Sequence, residues 1–184
     1  MSVALTSLWL PILLSAIAVF IASSLVWMVL QYHNSDWHPL PDEEAVRRAL
    51  KGVPHGEYTV PYAASNKARQ DSAWQQKVKE GPTVMMTVFP SGSISMGRQF
   101  VQWFTYCLII SLLVAYVASR TLAPGSEYME VFCVVGMVAV LAYGGSVATR
   151  SIWFGHGWGR TAKDILDGLI YGLVTAGMFG RLWP

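Results

Sequence analysis

The chain has 184 residues, of which 53% are hydrophobic and only 13% are charged. A soluble domain carries about 25% charged residues, so this composition argues against an ordinary soluble globular protein. The net charge is only +2, and no long run of Lys or Arg is present, so we expect no nucleic-acid partner.

Four apolar stretches along the chain have the composition of membrane helices. The first runs without a charged residue from position 8 to 30, which as a helix spans about 35 Å and crosses a hydrocarbon core of about 30 Å. The predicted fold is an all-α bundle of four transmembrane helices with a small mixed α/β cytoplasmic insertion between helices 1 and 2. The predicted segments are a first transmembrane helix at 1–32 (apolar over 5–32), a cytoplasmic segment at 33–98, and a three-helix transmembrane region at 99–184 with helices at 99–119, 129–149 and 165–182.

The fourth stretch is the shortest, because 165–182 has 18 residues and lies at the low end for a crossing. Asp167 would fall in its first turn, close to the lipid headgroups. The helix either crosses fully or is tilted and partly re-entrant. We favour a full crossing because Arg181 and Trp183 are typical of an interfacial anchor.

The distribution of Lys and Arg predicts the orientation. Eight of the thirteen lie in 33–98 and three more in 150–163, which share one side of a four-span protein; Arg120 and Arg181 lie on the other. Because positive residues stay inside, we expect an integral protein of the bacterial inner membrane with both termini outside and 33–98 in the cytoplasm.

The cytoplasmic segment carries weak signals for short elements. We predict helices at 41–50 and 66–80 and strands at 57–62 and 83–89. So few elements cannot bury an independent core, so we expect the segment to pack on the membrane surface or on a partner chain.

Small residues recur every four positions in the last stretch, at Gly168, Gly172, Ala176 and Gly180. A stripe of this kind lets helix backbones approach closely in lipid. Gly136 and Gly144 are a partial counterpart in the third stretch. The stripe is typical of close packing, either within the bundle or against another chain, and the sequence does not say which.

Histidines and carboxylates gather at the predicted cytoplasmic ends of the helices. His33, Asp36, His38 and His156 are the residue types that bind zinc or iron, although no helical ligand pair is present. Asp164 and Asp167 form a second polar cluster at the interface, which the positive end of a helix dipole also explains.

No catalytic motif and no phosphate-binding loop occurs in the sequence, so we expect neither an enzyme nor a cofactor. The expected partners are the lipid bilayer and other membrane subunits or further copies of the chain. The leading hypothesis is therefore a non-catalytic accessory or assembly subunit of a membrane complex, or a homo-oligomer packed through the small-residue faces. A small channel or transporter is the alternative, and an interfacial His/Asp metal-dependent enzyme is the third.

Overall fold

The computed structural model describes residues 3–92 and 95–184. Residues 1 and 2, part of the predicted segment 1–32, and residues 93 and 94, part of 33–98, lie outside the described residues. The chain forms two compact units, which we call the membrane unit (Met1–His38 and Ser95–Pro184) and the polar unit (Pro39–Ile94).

Helices dominate the membrane unit, and the polar unit is mixed. In chain order the elements are α1 (Trp9–Ser24), α2 (Glu43–Ala49), β1 (Gly56–Val60), α3 (Asn66–Arg69), α4 (Ser72–Glu80), β2 (Val84–Val88), α5 (Met96–Thr121), α6 (Tyr128–Gly144), α7 (Ala148–Phe154) and α8 (Trp158–Leu182).

Within the described part of the chain, four helical stretches are long and apolar enough to cross a membrane. At about 1.5 Å per residue, 25 to 27 residues reach about 38–40 Å. The predicted helical membrane bundle is confirmed at this level. We refer to these stretches as the first span (Leu5–Leu30), the second (Met96–Thr121), the third (Tyr128–Phe154) and the fourth (Trp158–Leu182).

The first span changes its helical geometry near its end. After α1 the chain continues as a π-helix over Leu25–Leu30. The hydroxyls of Ser23 and Ser24 both donate to the carbonyl of Phe20, at 2.9 and 2.8 Å, and so compete with the regular backbone bonds just before the change. Gln31 then adopts a left-handed conformation with φ of 51°, which ends the helix and starts the short 3-10 turn Tyr32–Asp36.

The helices of the last two spans extend beyond the predicted segments. The fourth span begins at Trp158 and not at 165, so Asp167 is its tenth residue, about 14 Å along the helix, rather than part of its first turn. The third span extends past 149 to Phe154 and is interrupted between α6 and α7, after Gly144. The sequence predicts shorter helices because Arg150, Arg160 and Lys163 lower the local hydropathy and are typical of the ends of membrane helices.

The third and fourth spans pack with their backbones close together. A Cβ added at Gly168 would lie 2.7 Å from the Cα of Gly144, and one added at Gly172 would lie 2.9 Å from the backbone nitrogen of Val140. Further along, a Cβ at Gly136 would meet the Cβ of Ala176 at 3.2 Å. The small-residue stripe of α8 therefore lies against α6 of the same chain. Gly180 continues it, packed against the ring of Tyr128.

The bundle core lies where all four spans meet. It is made of small and branched aliphatic side chains together with Phe179. A buried hydrogen bond of 3.0 Å also joins the hydroxyls of Ser15 and Ser111. That bond links the first span to the second.

The polar unit is a two-stranded antiparallel sheet with three short helices. β1 pairs with β2 in a register that places Tyr58 opposite Met86. The predicted helix at 66–80 is divided into α3 and α4, because the Asp71 carboxylate accepts the Ala73 amide at 2.7 Å and caps a new helix. None of the described residues from 39 to 92 is buried.

Candidate functional site

The last span presents a row of polar side chains at four-residue intervals. Lys163, Asp167 and Tyr171 occupy one face of α8, since residues four apart lie above one another on a helix. The 3-10 turn that follows the first span places Tyr32, His33 and Asp36 opposite this row. We call the six residues Tyr32, His33, Asp36, Lys163, Asp167 and Tyr171 the His33 network.

His33 lies at the centre of the network and is 2% exposed. Its Nδ1 is 2.9 Å from a carboxylate oxygen of Asp36, and its Nε2 is 3.1 Å from one of Asp167. The ring stacks on the indole of Trp27 at a centroid distance of 4.2 Å. Two carboxylate acceptors require a proton on each ring nitrogen, or a proton on one of the carboxyl groups. The imidazole therefore bridges the two carboxyl groups.

Asp167 is a buried carboxylate of the network, with 5% of its surface exposed. Besides the contact to His33, it accepts hydrogen bonds from the Tyr32 hydroxyl and, at 3.4 Å, from the Tyr171 hydroxyl. Burial and the nearby Asp167 carboxylate raise the pKa of Tyr32, so this phenol stays a donor. A carboxylate removed from water in this way requires such donors.

Lys163 closes the network on its outer side. Its ammonium donates to the backbone carbonyl of Tyr32 at 2.9 Å, to the Ser35 hydroxyl at 2.7 Å and to Asp36 at 2.6 Å. The hydrogen bond from Lys163, together with that from His33, holds the pKa of Asp36 below its usual value. The turn after the first span is thereby fastened to the last span.

This pKa shift predicts how the Asp36 contribution depends on pH. A carboxyl with a lowered pKa stabilises the fold above its ordinary pKa of 3.8, and this contribution is lost as the pH falls through the lowered value. Asp36→Asn should therefore lower the melting temperature at pH 7, and its difference from the wild type should shrink below about pH 3.8. Thermal unfolding in detergent across pH 2 to 8 measures this. A difference that stays constant below pH 3.8 would contradict the ion pair.

A cavity of about 660 Å³ adjoins the network, and all four spans contribute to its wall. We call it the central cavity. Asp167 and Tyr171 belong to both the network and the cavity wall. The remaining lining residues are Ser23, Ser24, Trp27, Met28, Met96, Gln99, Phe100, Trp103, Tyr106, Ala142, Tyr143, Ser146, Val147, Arg150, Asp164 and Gly168.

Aromatic rings form one continuous side of the central cavity. Trp103 stacks on Tyr106 at 5.5 Å and meets Tyr171 edge-on at 6.1 Å, and Tyr143 lies 6.2 Å from Tyr106 and 5.6 Å from Tyr171. The indole of Trp103 also donates to the Ser23 hydroxyl at 2.8 Å, which fixes its orientation against the first span. We call these four side chains the aromatic wall.

A second cavity of about 580 Å³ lies at the start of α8. His38 and His156 line it together with Asp36 and Lys163, and the guanidinium of Arg160, also in the lining, rests 5.1 Å above the Trp37 ring. The four metal candidates are thus divided, since His33 binds two carboxylates while His38 and His156 face this second cavity. Over the described ranges, no group of three His, Cys, Asp or Glu side chains is placed to hold a metal ion.

Reading the sequence missed several members of this site. Lys163, Tyr171 and Trp27 were not singled out with Asp167, although the spacing of Lys163, Asp167 and Tyr171 is the signal that could have found them. His33 and Asp36, three residues apart, are joined by a turn that the sequence pattern did not predict.

Four long apolar helices indicate an integral membrane protein, and the site defines one with a buried polar network beside a cavity. Comparison with protein families, curated proteins and solved structures finds no match for this chain.

Proposed function

We propose that the chain is a small membrane transporter whose substrate site is the central cavity. The observation that carries this proposal is the position of Asp167, an ionisable residue that is buried well inside an apolar span and lines a cavity between the spans. Ionisable residues in such positions are costly, and they usually mark pathways or binding sites.

The size and lining of the cavity support a small-molecule substrate. Ligand sites are commonly 300–1,000 Å³, apolar for the most part, with a few polar groups that orient the ligand. The central cavity has about 660 Å³ and combines the aromatic wall with Asp164 and Asp167. One of those carboxylates, Asp167, also contacts His33, so substrate binding can be linked to the His33 network through Asp167.

The small-residue stripe no longer supports the accessory-subunit hypothesis in particular. It relied on the small-residue stripe as a surface for another chain, but Gly168 and Gly172 already lie against Gly144 and Val140 of the same chain. The stripe gives no separate argument for other subunits or for self-association. Likewise, no group of metal ligands among the described residues supports a metal-dependent enzyme.

We further propose that the protein lies in a bacterial inner membrane with both termini outside. The distribution of Lys and Arg supports this orientation, which puts the His33 network and the C-terminal end of the first span on the cytoplasmic side. Alkaline phosphatase fused to the C-terminus should be active and a fluorescent protein at the same position dark. The reverse pattern would invert the proposed topology.

Binding and transport can be tested with three probes of similar size but different charge: phenyltrimethylammonium, tert-butylbenzene and benzenesulfonate. Protein in lipid nanodiscs is titrated by calorimetry, with empty nanodiscs subtracted, and a bound probe is then tested for counterflow in proteoliposomes. We expect at least one probe to bind at one site per chain and to be exchanged by the liposomes.

The matched variants are Ala142→Trp and Leu141→Trp. Ala142 lines the cavity, so its replacement should fill the space and reduce binding at least tenfold. Its neighbour Leu141 is 62% exposed and is not part of the lining, so Leu141→Trp should bind as the wild type does. If none of the three probes binds, or if Ala142→Trp binds as well as Leu141→Trp, the proposal is wrong.

A further inference from the structure

The aromatic and charged groups that line the central cavity indicate the chemistry of its ligand. Resting on the proposed function, we infer that the substrate is an amphipathic organic cation, with a quaternary or protonated amine attached to an apolar body. Three independent features of the lining lead to this class of ligand.

The first feature is the aromatic wall. Four rings from three spans, Trp103 and Tyr106 of α5, Tyr143 of α6 and Tyr171 of α8, are joined by successive ring contacts. Trp27 and Phe100 add two further rings to the lining. The face of an aromatic ring attracts a cation, and several rings around one volume are how quaternary ammonium groups are recognised in proteins. The same rings offer a favourable surface to an apolar body.

The second feature is the balance of charge in the lining. Arg150 is the one Lys, Arg or His side chain among the lining residues, so with Asp164 and Asp167 both ionised the formal charge of the wall is negative. Arg150 is exposed, and over the described residues no ion pair joins it to Asp164. An anionic ligand would have to approach both carboxylates.

The third feature is the contrast between the two carboxylates. Asp167 already accepts hydrogen bonds from Tyr32 and Tyr171 and is hydrogen-bonded to His33. Asp164 lies one turn earlier on α8, is half-buried and lines the cavity, and within the described part of the chain it has no hydrogen-bond or ion-pair partner. Asp164 is therefore the acid that is free to pair with an incoming cation, while Asp167 is held in place by the network.

Together these features assign a role to each group. Asp164 pairs with the positive charge, the aromatic wall surrounds the ammonium and its apolar neighbour, and Asp167 links the site to the His33 network. A ligand that is isosteric but neutral would lose both the pairing with Asp164 and the attraction of the ring faces.

The test compares phenyltrimethylammonium with tert-butylbenzene, in which a carbon replaces the charged nitrogen, in the same nanodisc titration. We expect the cation to bind at least tenfold more tightly than its neutral isostere, and benzenesulfonate to bind more weakly than either. Asp164→Asn should weaken binding of the cation about tenfold and leave tert-butylbenzene unchanged. Trp103→Leu should weaken binding of the cation as well, because it removes one of the four rings of the aromatic wall.

Glu130→Gln is the matched control, since it also removes one carboxylate from the third or fourth span but lies in the first turn of α6, outside the cavity lining. It should bind phenyltrimethylammonium as the wild type does. The inference is overturned if tert-butylbenzene or benzenesulfonate binds as tightly as the cation, or if Asp164→Asn has no more effect than Glu130→Gln. Failure of all three probes would instead overturn the proposed function itself.

Discussion

Replacing Gly168 with alanine is expected to destabilise the bundle, although alanine is the better helix former. The added Cβ would lie 2.7 Å from the Cα and 2.8 Å from the nitrogen of Gly144, both backbone atoms that cannot rotate away. The third and fourth spans would have to separate along their whole contact. Overpacking of this kind costs about 1–3 kcal/mol, and thermal unfolding in a mild detergent should show a lower melting temperature.

Gly177 provides the matched control on the same helix. A Cβ there would meet only the Tyr128 hydroxyl, at an ordinary distance of 3.9 Å. Alanine should therefore leave the packing intact and gain up to about 1 kcal/mol from its helix propensity. Opposite signs for Gly168→Ala and Gly177→Ala would establish the backbone contact. Equal effects at the two positions would show that α6 and α8 do not pack in this way.

The second large effect is expected for Asp167→Leu. The substitution leaves the His33 Nε2 and the Tyr32 hydroxyl without their acceptor in a buried place. Leaving a buried polar group without its hydrogen-bond partner costs about 1–3 kcal/mol for each group, because that group keeps its desolvation penalty. Asp164→Asn, at a carboxylate with no such partners, should change stability by less than about 0.5 kcal/mol.

A double-mutant cycle separates the network from a general loss of packing. His33→Leu and Asp167→Leu together should cost much less than the sum of the two single changes, since the double variant leaves neither group unpaired. Unfolding free energies in detergent give all four corners of the cycle. Strict additivity would mean that the two side chains do not interact.

The sequence predicts the features of this structure that depend on local hydropathy, and it does not predict those that depend on contacts between distant segments. The apolar runs predict four spans because the bilayer demands about 20 apolar residues whatever the partners are. The helix of the fourth span begins at Trp158, earlier than the predicted segment, because Lys163 and Asp164 are typical of residues outside a membrane when each is considered alone. In the fold, Lys163 is satisfied by three acceptors on the turn after the first span, and this compensation between distant segments has no signature in a local window.

The candidate site likewise depends on contacts between distant segments. The sequence grouped His33, Asp36 and Asp167 at one end of the bundle but gave no reason to pair them, because the pairing depends on a left-handed residue, Gln31, that turns the chain back towards α8. The aromatic wall was not anticipated either. Its rings come from three spans, and contacts between positions as far apart as Trp103 and Tyr171 are set only by how the helices pack.

The absence of buried side chains over the described residues of the polar unit has an evolutionary consequence. A residue that is only partly buried constrains its neighbours less than a fully buried one, so replacements there are removed less often by selection for folding. In relatives of this chain, residues 39–92 should therefore diverge quickly and vary in length. Gly144 and Gly168, where two backbones touch, should stay conserved in the same relatives. These two glycines should therefore identify distant homologues better than the larger aromatic residues.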